Sequence, residues 1–374
     1  FKWHGDVEKT NKNKFIKNKA HVLMITPESL EVILMNKLAN KEELFKDLHY
    51  IVIDEIHAFA ESERGTHLMA LIERVQKFSN YDIQRIGLSA TVGNPDKLLE
   101  WLQGSSKREK LVIYPSDEKK NKKIEIRFCK DEEERTQEIL KRIVSRKALV
   151  FSNNRKDAEL LKLRMEKENI DSYIHHSSIN KFFREKTEES FKIGKTNTII
   201  ATNTLELGID IGALDVVLHL EMPSSVSSFL QKLGRTGRRE GKVSHFVFLP
   251  SNEENLVMSI AILNLAMKKW VENVFVTDKA YDILLHQTLT ICLSSYGADI
   301  DDIFNTLSKV YSFSGISNEE YRYLIEYMVK ETILNNQRAQ YGEEIVKRVS
   351  EMLVLNYGSG FGARNIRRMI SVYE

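Results

Sequence analysis

The stretch "IVIDEIHAF" at residues 51–59 is a run of β-branched apolar residues that ends on two adjacent carboxylates. A short apolar run of this kind predicts a strand buried on both faces of a parallel sheet. Ligands of open α/β sheets bind beyond the carboxyl ends of the strands, which would place Asp54 and Glu55 for chemistry. Taken alone, the pair is equally compatible with two solvated loop acids.

Strand and helix patterns alternate on both sides of this stretch. "HVLMIT" and "RIGLSAT" are strand-like, with helical patterns between them. The alternation restarts at residue 124 with "IEIRF", "ALVFSN", "DSYIHH", "NTIIAT", "DVVLHL" and "SHFVFL". We therefore predict an α/β fold with two parallel-sheet domains, at residues 1–106 and 124–255, and an ATP site in the cleft between them. Residues 107–123 are charged and contain a proline, which indicates a linker.

The pattern turns helical after residue 255. The apolar run at residues 256–267 is too short to span a bilayer and predicts a buried helix. "SNEEYRYLIEYMV" opens with Ser317 and Glu320 in capping-box spacing. "KETILNNQRAQYGEE" shows no alternation of period two, so we expect no hairpin there.

Composition narrows the class of protein. A chain of 374 residues suffices for two domains and part of a third. A net charge of +2 creates no global attraction for nucleic acid, and the lysine-rich residues 9–19 are either a solvated face or a phosphate-facing edge. Cys129 and Cys292 are too few for a disulfide framework or a zinc site, so we expect a reducing, cytoplasmic location. Because the longest apolar run is too short to span a bilayer, we expect no membrane partner. The chain begins with Phe1, from which we expect processing or a longer parent chain.

Several ordered motifs carry a family resemblance. "IGLSATVGNP" (residues 86–95), "TIIATNTLELGIDI" (198–211) and "FLQKLGRTGRR" (229–239) resemble the motifs of superfamily 2 DEAD/DEAH-type helicases. "TPESLEVIL", "DEIHAF", "GLSATVGNPDKLLEWL" and "LELGIDIG" resemble, more narrowly, the Lhr (large helicase-related) family, over about residues 1–330. The resemblance implies two RecA-like motor domains, the first incomplete, and a truncated winged-helix region at residues 256–334.

The resemblance also implies roles in ATP hydrolysis with Mg²⁺. Asp54 would hold the metal through a water molecule, and Glu55 would orient and deprotonate the attacking water. Arg235 and Arg238 are three positions apart, which places them on one face if the segment is helical, and they would act as arginine fingers across the cleft. Surface solvation is the alternative for such an arginine pair.

Further residues match motifs that couple or contact the nucleotide. His57 would couple the acidic pair to the hydroxyls of Ser89 and Thr91, although a buried structural histidine is the alternative. Gln231, which precedes the two arginines, belongs to the same coupling set. The "LELGIDIG" motif would face the nucleotide through Gly208 and Asp210.

Nucleic-acid contacts are implied on both domains. The candidates are Thr26, Pro27 and Glu28 on the first domain, and Ser152, His176, Ser177, Thr202, Asn203 and Thr204 on the second. They would contact phosphate and sugar without sequence preference. The expected partner is single-stranded or partly duplex DNA, with an RNA:DNA hybrid as the alternative. Threonine and serine at strand ends are often only helix caps, so that alternative stays open.

The sequence contains no "GxxxxGK[ST]" phosphate loop. The helicase template places this loop about one hundred residues before the paired acids, whereas only 53 residues precede Asp54. Two hypotheses follow. The chain is an ATP-dependent DNA helicase or translocase by family, truncated and inactive alone, or it is a non-catalytic nucleic-acid-binding remnant or gene-fusion fragment.

The tail at residues 335–374 differs in character and resembles the amino-terminal domain of YhcG-type nucleases. Its second helical pattern would present Arg364, Arg367 and Arg368 opposite an apolar stripe, where they are available to DNA phosphates. A helical hairpin with a solvated basic face is the alternative. The resemblance places the catalytic carboxylates of such nucleases in a later domain, so we expect no nuclease activity.

Overall fold

The computed structural model describes residues 2–3, 20–36, 39–114, 121–194, 197–202, 212–237, 243–295 and 298–333. The chain divides into two compact units. The first unit comprises Phe1–Leu88, Asp96–Val112 and Phe275–Glu374, and the second comprises Ser89–Pro95 and Ile113–Val274. The predictions for residues 9–19, for the region after residue 333 and for the arginines of the tail concern residues outside the described ranges.

The first unit begins with two short pairs of parallel strands and five helices. The strands are β1 (Lys2–Trp3) with β2 (Met24–Ile25), and β3 (Tyr50–Ile53) with β4 (Gln84–Gly87). The helices are α1 (Pro27–Met35), α2 (Lys41–Phe45), α3 (Ile56–Ala60), α4 (Glu63–Gln76) and α5 (Pro95–Gln103).

The strand predicted at residues 51–53 is present, but the prediction that both of its faces are buried is wrong for the part of the chain described. Ile53 is 5% exposed and Ile51 packs against the core formed with α1 and α4. Tyr50 and Val52, which point to the opposite face, are 62% and 58% exposed. Because side chains alternate along a strand, only one face of β3 is covered by these helices.

The second unit is built on six parallel strands: β5 (Lys122–Ile126), β6 (Ala148–Phe151), β7 (Ser172–His175), β8 (Thr198–Ala201), β9 (Val216–Leu220) and β10 (Ser244–Leu249). Their order across the sheet is β5-β10-β9-β6-β8-β7. Each strand predicted between residues 124 and 255 is found, and the α/β prediction is confirmed. Successive strand residues enter cores on opposite faces of the sheet, as expected of a sheet covered on both sides.

Five helices accompany this sheet: α6 (Glu132–Ile143), α7 (Arg155–Lys167), α8 (Lys181–Ile193), α9 (Val226–Leu233) and α10 (Glu253–Met267). Side chains of α6 and α7 enter one core, and side chains of α8, α9 and α10 enter the other. The crossover connections thus place helices on both faces of the sheet.

The helix predicted at residues 256–267 is present as part of α10, but the prediction that it is buried is wrong. Only Ser259 and Ile262 are buried in it. Val257 and Met267 are 62% and 76% exposed. Apolar residues occur all around this helix, whereas only one face packs on the sheet.

The C-terminal part of the first unit is helical, as predicted. It contains α11 (Tyr281–Ser295), α12 (Ile300–Leu307), a 3-10 turn (Tyr311–Phe313) and α13 (Asn318–Ile333). The capping box is confirmed, because Glu320 N donates to Ser317 Oγ at 3.1 Å and Ser317 N donates to the Glu320 carboxylate at 2.8 Å. Within the described ranges, no helix combines the length and apolar character needed to cross a membrane.

Candidate nucleotide and nucleic-acid sites

The acidic turn, residues 54–55, lies directly after β3. Glu55 adopts the left-handed conformation (φ 50°, ψ 43°), and its N–H donates to Asp54 Oδ1 at 3.0 Å. Leu88, the residue after β4, donates from its N–H to Ile53 O at 2.8 Å and accepts at its carbonyl from Ile56 N at 2.9 Å. These two hydrogen bonds hold the acidic turn against the end of β4. Left-handed residues other than glycine are uncommon and concentrate at functional sites. The two carboxylates are therefore fixed beyond the carboxyl end of the strand.

The helices after the acidic turn meet closely at Gly65. A Cβ atom on this residue would lie 1.9 Å from Phe59 O. The contact between α3 and α4 consequently requires glycine at this position.

His57 lies beside the acidic turn. Its Nδ1 is 3.7 Å from the Glu55 carboxylate, and its side chain is 10% exposed. Its predicted partners, Ser89 and Thr91, belong to the second unit. The coupling role of His57 stays a prediction.

The motif around Gln231 and Arg235 is carried by α9 and the turn after it. The helix ends at Leu233, with Gly234 as its C-cap, and Gly237 has a φ of +65°. The shared helical face was conditional on a helical segment, and α9 ends before Arg235; Arg238 lies outside the described residues, so the pairing of the two arginines stays a prediction. Arg235 itself is 7% exposed.

Four predicted nucleic-acid contacts follow the neighbouring strands β6, β8 and β7. They are Ser152, Thr202, His176 and Ser177. Ser152 N donates to Ala201 O at 2.8 Å, and Thr202 N donates to His175 O at 3.2 Å. The parallel sheet thus gathers these four residues at one edge, as the sequence predicts for residues at strand ends.

The four residues differ in accessibility. Ser152 is fully buried, and its hydroxyl donates to Asn154 O at 2.9 Å, so it stabilises a turn. His176 is 6% exposed, with Nε2 3.4 Å from the Glu159 carboxylate. Ser177 is exposed and accepts a hydrogen bond from Arg155 Nη2 at 2.8 Å. Arg155 is a cation that the sequence analysis missed, although its place at the start of a helix after a strand is a usable signal.

On the first unit, the "TPE" motif begins α1. Ser29 N donates to Thr26 Oγ1 at 3.4 Å, and Pro27 is the first helical residue, so Thr26 is a helix cap. Arg64 donates two hydrogen bonds to Glu28, at 2.6 and 3.1 Å. Burial acts to raise the pKa of Glu28, but the hydrogen bonds and the charge of Arg64, together with hydrogen bonds from the backbone and from Thr26, outweigh it and lower the pKa. Arg64 is a second cation that the sequence analysis missed.

Five predicted site residues lie outside the described part of the chain, and their roles stay predictions. They are Asn203, Thr204, Gly208, Asp210 and Arg238.

A buried polar cluster joins α1, α4 and α11 within the first unit. Ligand atoms of Glu31, His67 and His286 lie within 4.8 Å of one another, a spacing that a metal ion would fit. The Glu31 carboxylate is already occupied, because it accepts hydrogen bonds from Arg74 Nη1 at 2.5 Å, from Gln287 Nε2 at 2.8 Å and from His67. Since a guanidinium repels a second cation, we interpret the cluster as an ion-pair network.

Two family models match the chain in order. The DEAD/DEAH box helicase model matches residues 1–98, and the helicase conserved C-terminal domain model matches residues 131–240. ATP-dependent helicase Lhr-Core protein 2 of Thermococcus barophilus is 30% identical over 87% of this chain and 40% of its own length. The Lhr-Core helicase of Methanothermobacter thermautotrophicus is 30% identical over 91% of this chain and 41% of its own. The chain thus carries the two domains of a superfamily 2 helicase in order, and it is similar to helicases of the Lhr type.

A solved structure of an Lhr helicase agrees with this assignment. The Lhr structure from Mycobacterium smegmatis, bound to single-stranded DNA and AMP-PNP, superposes with a TM-score of 0.77 at 27% identity and covers 88% of this chain and 44% of that chain. The likeness confirms the prediction of two RecA-like motor domains. The chain spans about two fifths of the length of the curated relatives named above. The DUF1016 N-terminal domain model matches residues 310–374, which is consistent with the separate character predicted for the tail.

Proposed function

We propose that this chain is motor-domain sequence of an ATP-dependent helicase or translocase that acts on single-stranded or partly duplex DNA or on an RNA:DNA hybrid. The observation that carries the proposal is the superposition with an Lhr helicase bound to both single-stranded DNA and a nucleotide analogue. We also retain the predicted domain boundaries: motor domains at residues 1–106 and 124–255, a linker at 107–123, a partial winged-helix region at 256–334 and the tail at 335–374.

The acidic turn supplies oxygen ligands of the kind that Mg²⁺ prefers, beyond the end of a strand where nucleotide sites form. Asp54 would hold the ion through a water molecule, and Glu55 would orient and deprotonate the attacking water. A bound Mg²⁺ neutralises charge that develops on the phosphates. Arg235 and Arg238 would stabilise the same charge from the second domain.

Residues beyond the acidic turn would couple and complete the nucleotide site. The proposed coupling set is His57, Ser89, Thr91 and Gln231. Gly208 and Asp210 would face the nucleotide. The support is the ordered match to both helicase family models.

Residues of both domains would bind the nucleic acid. On the second, Ser177 and Arg155 offer an exposed hydroxyl beside a guanidinium, which suits a phosphate. Thr202 and His176 share that edge of the sheet, whereas Ser152 would need to leave its buried position. On the first, Arg64 neutralises Glu28, which reduces repulsion between that carboxylate and DNA. Contacts to phosphate give affinity that falls steeply with salt and carries no sequence preference.

The second candidate function is nucleic-acid binding without ATP turnover. It is favoured by the absence of "GxxxxGK[ST]" from the 374 residues of the sequence. The phosphate loop supplies the amides and the lysine that hold the phosphates. We propose that residues 1–374 alone bind single-stranded DNA but do not turn over ATP. The free thiols of Cys129 and Cys292 agree with the cytoplasmic location that we propose.

Two assays on purified residues 1–374 test these proposals. Fluorescence anisotropy of a labelled oligothymidine, measured over a range of salt concentrations, should show binding that weakens as salt rises. Phosphate release should be the same with and without the oligonucleotide. Stimulation of phosphate release by DNA at ordinary helicase rates would overturn the inactivity of the isolated chain. Absence of binding at low salt would overturn both candidate functions.

A further inference from the structure

A short segment of the second unit, Val271–Val274, follows α10 and accepts hydrogen bonds from two functional elements. Its only acidic side chain, Glu272, accepts hydrogen bonds from Val226 N at 2.7 Å and from Ser227 N at 3.0 Å. These are the first two amides of α9, whose N–H groups have no partner within the helix. A carboxylate also interacts favourably with the positive end of the helix dipole.

The same segment holds the loop of the "SATVGNP" motif, which belongs to the second unit. Gly93 N donates to Glu272 O at 2.9 Å. The Asn94 amide pairs with Val274 in both directions, as a donor to its carbonyl at 2.9 Å and as an acceptor from its N–H at 2.7 Å. These three hydrogen bonds fix the loop to the backbone around Glu272.

The loop also approaches too closely for a side chain at Gly93. A Cβ atom there would lie 2.4 Å from Val271 O and 2.5 Å from Asn273 Oδ1. The approach of the two backbones therefore depends on glycine, and movement of one backbone must be accompanied by movement of the other.

The opposite end of α9 carries the motif that contains Gln231 and leads to Arg235. The helix is packed along its length, with Phe229 and Leu233 1% and 4% exposed in the core of the second unit. A short helix held in this way moves as one piece. A displacement of its first turn consequently reaches its last turn.

We propose that Glu272 is a positioning residue that makes the loop at residues 91–94 and helix α9 move together. The state of the loop is thereby passed to Gln231 and Arg235. The purpose of this coupling, which is nucleotide turnover on DNA, rests on the proposed function. The coupling itself is independent of that function. No family motif quoted above includes Glu272.

Simple helix capping is the competing explanation for Glu272. However, α9 already has an N-cap, because Ser228 N donates to Ser225 Oγ at 3.0 Å. Glu272 accepts hydrogen bonds from Val226 N and Ser227 N, the two amides that the Ser225 cap does not bond. Capping alone would affect only those two amides and would leave the loop unchanged.

Hydrogen–deuterium exchange of the full chain, resolved to single amides by fragmentation, separates the two explanations. In Glu272→Ala the acceptors of Val226 N and Ser227 N are lost, so both amides should exchange at least about fivefold faster. Gly93 N keeps its acceptor, which is a backbone carbonyl. We expect Gly93 N to exchange several-fold faster as well, because the loop then keeps only the long hydrogen bond from Ser227 Oγ to Thr91 O, at 3.5 Å, as its link to the helix.

The reciprocal variant is Asn94→Ala, which loosens the loop without touching Glu272. Linkage requires that exchange at Val226 and Ser227 then also quickens. Glu272→Gln keeps one acceptor oxygen and should restore part of the protection at Gly93. Glu133→Ala, on the exposed surface of α6, is the matched control and should change none of these amides.

Unchanged Gly93 exchange in Glu272→Ala, or unchanged Val226 and Ser227 exchange in Asn94→Ala, would overturn the proposal. If Glu272→Ala loses protection throughout β6 because it unfolds, the Asn94→Ala result decides. The measurement uses neither nucleotide nor DNA, so it remains informative if the proposed function fails.

Discussion

Replacement of Glu31 by glutamine should destabilise the first unit far more than the same replacement at Glu28, three positions earlier on α1. Both glutamates pair with an arginine, but Glu31 and Arg74 are 7% and 6% exposed, whereas the Glu28 and Arg64 side chains are 57% and 51% exposed. Breaking a buried pair strands an uncompensated charge, which costs about 3 kcal/mol of unfolding free energy. An exposed pair contributes less than about 1 kcal/mol.

The difference should depend on pH in a defined direction. Burial acts to raise the pKa of Glu31, but the hydrogen bond from His67 and the charge of Arg74 outweigh it and hold the pKa well below the ordinary value of 4.5. A carboxyl with a lowered folded-state pKa adds stability that is present above the unfolded pKa and lost as pH falls through the folded pKa. The difference in unfolding free energy between the wild type and Glu31→Gln should be constant above about pH 5.5 and should decrease below about pH 4.5.

Urea unfolding followed by tryptophan fluorescence measures this effect. A Trp270→Phe background leaves Trp3 and Trp101, which both lie in the first unit, as reporters. Equal losses of unfolding free energy in Glu28→Gln and Glu31→Gln would refute the reasoning. So would a difference between the wild type and Glu31→Gln that does not decrease at acid pH. Glu31→Leu combined with Arg74→Met should recover much of the loss, because the stranded charge is then removed as well.

Three further outcomes follow from the structure. Gly65→Ala should lower the unfolding free energy by about 1–3 kcal/mol in the same assay, since its Cβ would collide with Phe59 O; an unchanged midpoint would contradict the close helix contact. Arg155→Ala should weaken oligothymidine binding and flatten its salt dependence, while Arg164→Ala on the same helix, where the arginine is paired with Glu132 at 2.6 Å, should not. In a longer form that carries a phosphate loop, Arg238→Ala should reduce ATP turnover by about 10³ and spare nucleotide binding; turnover within tenfold of the wild type would rule out a finger.

Some of this structure follows directly from local sequence. The β-branched runs of the second sheet, the acids that follow β3 and the box formed by Ser317 and Glu320 each depend on residues close together in the chain. Such patterns determine strands, turns and caps through local geometry.

Other features depend on contacts that spacing does not encode. Arg64 and Glu28 are 36 residues apart, and Arg155 and Ser177 are 22 apart, so neither pair shows as a motif. Whether the helix continues through Gly234 stayed open, because the spacing of the two arginines does not reveal a C-cap. The exposed side chains of α10 were missed because apolar residues all around a helix do not reveal which face packs.

The first unit is discontinuous in the chain, which has a consequence for synthesis on the ribosome. All six strands described in the second unit have been made by Leu249, whereas Gln287, which donates to the buried Glu31, is made later. We expect the second unit to complete its sheet while the first unit still lacks α11. During that interval Glu31 and Arg74 have no cover from this helix, and α1 and α4 should be sensitive to protease. Proteolysis of ribosome-bound chains arrested shortly before and after α11 emerges would detect this order of folding.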